Sequence, residues 1–165
     1  MGETKYPILE EGYELKLLGA CRNAKERGLI SLLTITGMHV STTEKLSKSN
    51  LKKQGDKTYI EYRRLKNAKP MRFEIPSQRL PDVLEFLDGR KASRQYYHRI
   101  VKEIGHLAGY EDISPMTLRH SVCCDMIKRD GAASLFTVPQ RLGCSLQVVV
   151  ANYSQLSDVQ LWDKG

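Results

Sequence analysis

The sequence predicts a mainly helical domain with one small β-sheet (α+β), and three observations carry that expectation. Apolar residues recur at helical spacing in six segments punctuated by glycines such as Gly28, Gly37, Gly89, Gly109, Gly131 and Gly143. Between residues 57 and 76 the pattern changes to apolar/polar alternation, with Pro70 and Pro76 as breakers. The chain has 165 residues, enough for one real core and too few for two ordinary domains, so residues 1–165 read as a single domain.

Taken in order, residues 11–27 form an amphipathic helix that Gly28 closes, and "LISLLTIT" continues as a second, more buried helix ending at Gly37. After a polar turn, "KTYIEYRRLK" and "KPMRFEIP" pair as a basic hairpin with "LKNAK" at its tip. Helices follow at about 81–88, 93–108, 115–129 and 134–142. Residues 145–152, "SLQVVVAN", contain three consecutive valines that favour a strand by propensity, while the short length also allows helix.

Composition narrows the function. An apolar fraction of 41% and a charged fraction of 27% are those of a soluble globular chain, and no apolar run approaches a bilayer span. No secretory signal is visible, and Cys21, Cys123, Cys124 and Cys144 show no disulfide framework, so a reducing cytoplasm is expected. The net charge of +7 is concentrated: residues 52–72 hold eight basic side chains against Asp56 and Glu61, a local excess of six. A solvated hairpin explains such a run, and so does a polyanionic partner, most simply nucleic acid.

The segment "SPMTLRHSVCCDMIKRDG" raises a sharper question. Ser114 caps this helix, Pro115 suits its first position and Gly131 stops it. At 3.6 residues per turn, Leu118, Val122, Cys123, Met126 and Ile127 fill one arc, with Arg119 near its centre. A guanidinium pointing inward keeps its proton, so it meets a carboxylate, carbonyls, or an anion from outside. A structural ion pair and an anion site are both open on this pattern alone.

Three phrases supply more: "TGMHVSTTEKL" (36–46), "SPMTLRHS" (114–121) and "LGCSLQVVVANYS" (142–154), with the basic hairpin after the first. In order, context and spacing, including Tyr153 nine positions after Cys144, they resemble the catalytic domain of tyrosine recombinases, the phage integrase family, over about residues 12–157. "TGMH" resembles archaeal members in particular. The resemblance implies that residues 145–152 are helical. It also implies site-specific DNA recombination or integration, by cleavage and rejoining of double-stranded DNA through a covalent phosphotyrosyl intermediate. No metal or cofactor is needed and no small-molecule substrate is involved; self-association on DNA is expected. Tyr153 matches the nucleophile and Arg119 the second family arginine. Lys66 matches the lysine that protonates the leaving hydroxyl, with Lys69 as competitor. Arg63, Arg64, Lys69 and Arg72 are candidate DNA contacts. The separate DNA-clamping domain that usually precedes the catalytic one is not expected in this chain.

Three positions depart from the family pattern. His39 stands where the first arginine is usual, Met116 replaces a histidine, and Cys144 replaces a histidine or tryptophan. His39 and Cys144 remain candidate site residues, as does His120, which either reaches the phosphate or is a structural histidine. The alternative function is therefore a catalytically impaired relative that binds DNA or recombinase subunits. A metal site built on His120, Cys123, Cys124 and Cys144 is disfavoured, because vicinal cysteines are not the usual zinc spacing.

Overall fold

A computed structural model describes residues 8–64 and 67–131. The element order is α1 (Tyr13–Ala20), α2 (Ala24–Thr36), a short α3 (Val40–Thr43), a 3-10 turn (Lys48–Asn50), β1 (Leu51–Gln54), β2 (Lys57–Tyr62), β3 (Met71–Ile75), α4 (Leu80–Asp88), α5 (Arg94–Leu107) and α6 (Pro115–Asp130). The expected helices at 134–142 and 145–152 lie outside the described residues.

The first two helices divide differently from the sequence expectation. α1 ends at Ala20, and Asn23 caps α2 by accepting a hydrogen bond from the Glu26 N–H at 2.9 Å. Gly28 is interior to α2 and buried, because it is the point where α2 meets α4. A Cβ there would collide with the backbone carbonyl oxygen of Asp82 and lie 2.7 Å from the Cβ of Phe86. The glycine that reads as a stop signal is a close-approach residue. Gly28→Ala is expected to destabilise the fold by about 2–3 kcal/mol despite alanine's better helix propensity, since the obstructing atom is backbone. Chemical denaturation of the two proteins checks this, and equal midpoints would mean that α4 is free to move away.

The sheet has three antiparallel strands in the order β1-β2-β3, where the alternation predicts two. β1 ("LKKQ") escapes the pattern because its last three residues are exposed and it joins through backbone pairing to β2, with Gly55 at φ 64° turning the hairpin. Ile60, Tyr62, Met71 and Ile75 are buried against the helices. On the opposite face the Arg72 guanidinium lies 3.9 Å above the Tyr59 ring and donates to Gln54 Oε1.

α6 is the central helix. Ser114 caps it as expected, and does so within a capping box: Ser114 Oγ accepts from the Thr117 N–H, and Thr117 Oγ1 accepts from the Ser114 N–H. Its burial is broader than one stripe, because Thr117, His120, Ser121 and Cys124 are buried along with the apolar arc. α2 and α5 pack against it, with Leu29, Leu33, Val101, Ile104, Leu118 and Val122 in the core. No described helix is long and apolar enough to cross a membrane.

Candidate active site

Arg119 is 3% exposed, as the helical wheel requires. One of its partners is the carbonyl oxygen of Gly37, which accepts from Nη1 at 2.5 Å. The phrase "TGMH" explains how that carbonyl is presented. Thr36 Oγ1 donates to Leu32 O at 2.7 Å and accepts from the Met38 N–H at 3.0 Å, while Gly37 adopts φ 70° and closes α2 by donating to Leu33 O. A side chain with a Cβ is strained at that φ. The chain then reverses, Met38 enters the core, and His39 emerges at the start of α3 beside Arg119.

Arg119 and His39 line two connected features. One is a cleft of about 800 Å³ walled by α3 (His39, Ser41), the first turns of α5 (Arg94, His98) and the first turns of α6 (Met116, Thr117). The other is a narrow pocket that adds Tyr62, Arg64 and Met71 from the sheet. Four nitrogen-bearing side chains therefore converge: Arg119, His39, Arg64 and His120. Burial, and then the charges of Arg119 and Arg64, hold the His39 imidazole below its ordinary pKa. Burial, and then Arg119 and His39, push His120 down to about 4.

The His120 shift has a stability consequence with a definite sign. Its folded pKa lies below the unfolded value of 6.5, so between about pH 6.5 and 4 the unfolded chain binds the extra proton. Stability is fully present above that window and falls as pH falls through it. The loss from this group is on the order of 2 kcal/mol, allowing for partial solvent screening. His120→Gln, which does not titrate, is expected to show a flatter dependence of unfolding free energy on pH over this window. Parallel slopes in the two proteins would mean that His120 takes up its proton in the folded state.

The remaining predicted residues fall into three groups. Arg63 donates from Nη1 to the Ala68 carbonyl at 2.6 Å and braces the β2–β3 loop, and Lys69 is exposed in that loop. Arg72 projects from the sheet face away from Arg119, so among the hairpin arginines it is Arg64 that reaches the site. Tyr153, Cys144 and Lys66 lie outside the described residues. A hint of Arg64 is legible in spacing, since it stands two positions after the buried Tyr62, although Arg63 and Arg64 both lie past the end of β2 and outside its alternation. Arg94 and His98 in the cleft wall had no such signal, because nothing within α5 says which helix it will lie against. Among the described residues no group of three or more His, Cys, Asp or Glu side chains is placed to hold a metal ion.

No protein-family model matches the sequence, and no curated protein matches it significantly. Solved structures do. XerA recombinase superposes with a TM-score of 0.73 at 20% identity, covering 98% of this chain and 63% of that one. The fold is that of tyrosine recombinase catalytic domains. XerH site-specific recombinase bound to difH substrate gives TM-scores of 0.70 in a post-cleavage complex with a palindromic site and 0.69 in a pre-cleavage complex. Both XerH chains are 17% identical to this one, which covers 50% of their length. The chain thus spans between half and two-thirds of the recombinases that it matches, and its helix-sheet-helix order is that of the recombinase fold.

Proposed function

We propose that this chain is the catalytic domain of a site-specific tyrosine recombinase acting on double-stranded DNA. The observation that carries this reading is the buried Arg119 guanidinium lining an open cleft together with His39, with Arg64 adjoining. A phosphodiester under attack gathers negative charge on its nonbridging oxygens, and fixed donors that meet that charge lower the barrier more than they tighten ground-state binding. The likeness to recombinases solved on DNA before and after cleavage supports the same substrate class.

In this mechanism the Tyr153 hydroxyl oxygen attacks the scissile phosphorus and passes its proton to solvent water. The phosphotyrosyl bond forms as the bond to the leaving deoxyribose oxygen breaks. Lys66 gives the leaving oxygen its proton, with Lys69 as the competing donor. Arg119 and His39 hold the nonbridging oxygens, Arg64 adds positive charge beside them, and Cys144 contributes a weak donor. His120 buttresses the site from behind, since it is buried and held neutral. A hydroxyl from another strand then attacks the phosphotyrosyl phosphorus and releases Tyr153. Chains assemble on DNA so that such a hydroxyl is at hand.

A nicked duplex carrying the natural site tests the reading, because loss of a short strand after cleavage prevents religation and traps protein on DNA. A covalent adduct resistant to denaturation and insensitive to chelators is expected. The second reading, a DNA-binding relative that does not cleave, is favoured by His39, Met116 and Cys144 at the three altered positions. It prevails if specific binding occurs on a verified site with no adduct under any condition.

A further inference from the structure

His39 takes, in the reading above, the place of a permanently charged arginine, yet its surroundings disfavour its charged form. α6 brings Arg119 and His120 against it and the end of β2 brings Arg64. The first turns of α5 bring Arg94 and His98 to the same cleft. Asp112, the one carboxylate lining the cleft among the described residues, is engaged by Lys102 at 3.8 Å. The pKa of His39 is lowered first by the partial burial of the ring, and then because a proton there sets a third positive charge beside two guanidinium groups. A phosphodiester seated between these groups offsets their positive field at the ring.

Resting on the recombinase reading, we propose that DNA enters this cleft together with a proton: phosphate binding beside Arg119 and Arg64 converts His39 to the imidazolium, so that it acts as a fixed charge only in the complex. The proton comes from solvent and the diester keeps its own charge. The neutral ring offers a single N–H, whereas the imidazolium offers two donors and a full charge. Binding and cleavage therefore strengthen on mild acidification, which an arginine at this position would not produce.

The test is calorimetric titration of the full chain with a random-sequence duplex at low salt, in two buffers that differ in heat of ionisation. Wild type is expected to take up a proton on binding, and its affinity to rise by up to about tenfold per unit fall in pH near neutrality, the limit for one linked proton. His39→Gln should bind without that uptake and with a flat pH dependence. His39→Arg should bind tightly and equally flatly. In the wild-type complex the His39 imidazole resonance should titrate roughly one unit or more higher than in the free protein. Proton uptake that persists in His39→Gln, or tight wild-type binding independent of pH, would overturn the inference and leave the recombinase reading standing. No DNA binding at any pH would remove both.

Discussion

Tyr153→Phe is expected to abolish the covalent DNA adduct while leaving DNA affinity within a few-fold of wild type. The substitution removes one oxygen, the attacking atom, and retains the ring. The chain has eight tyrosines, and four of the other described ones are poorly suited to the role. Tyr13 is buried and donates to Asp125 Oδ2 at 3.1 Å, and Tyr110 donates to Glu10 Oε1 at 2.6 Å. Burial first, and then those carboxylates, raise both phenols above their ordinary pKa and disfavour the phenolate. Tyr59 lies beneath Arg72 on the sheet face turned away from Arg119. Tyr62 is the informative control, because it lines the narrow pocket with His39 and Arg119 but is buried and stacked on Phe73. Tyr62→Phe should retain the adduct on denaturing gels. An adduct that survives Tyr153→Phe and disappears in Tyr62→Phe would reassign the nucleophile.

Arg119→Ala is expected to slow cleavage by about 10²–10³-fold, the usual effect of losing a principal transition-state donor and equivalent to about 2.7–4 kcal/mol. Ground-state affinity should fall far less, because most of it comes from backbone phosphates meeting many cations. The variant also loses the donor to the Gly37 carbonyl and opens a cavity at a 3% exposed position, so unfolding free energy should drop by about 1–3 kcal/mol. Single-turnover cleavage, binding and denaturation measured on one preparation separate these effects. Arg119→Lys keeps the charge without the planar fork, so it should recover binding better than rate. Equal fractional losses of affinity and rate in Arg119→Ala would mean that the residue holds DNA and does not act on the transition state.

How far the fold was legible depends on whether an element declares itself by its own periodicity. α4, α5 and α6 do, through caps such as Ser93 and Ser114 and through apolar positions at helical spacing, and they form within a residue or two of the expected bounds. β1 does not, since "LKKQ" buries too little to leave a pattern and exists through pairing with β2. The break between α1 and α2 was misplaced because glycine carries two meanings. At Gly37 it supplies a positive φ, and at Gly28 it supplies missing volume where α4 crosses. The residue letter alone cannot tell backbone conformation from close packing.

The same division runs through the site. The sequence by itself determined that Arg119 points inward, because helical spacing sets that direction before any partner is known. It determined that the second helix ends at Gly37, two positions before His39, because a helix stop is a local signal. The tertiary structure decided which groups share the space beside Arg119. Arg64 reaches it and Arg72 does not, because the sheet lays one face on the helices and turns the other away. The His39 pKa is lowered because folding half-buries the ring and brings Arg119 from a position eighty residues on, and Arg64 from just past a strand end, close to it. Charge interactions depend on distance and on solvent, and neither quantity exists until elements remote in sequence have packed.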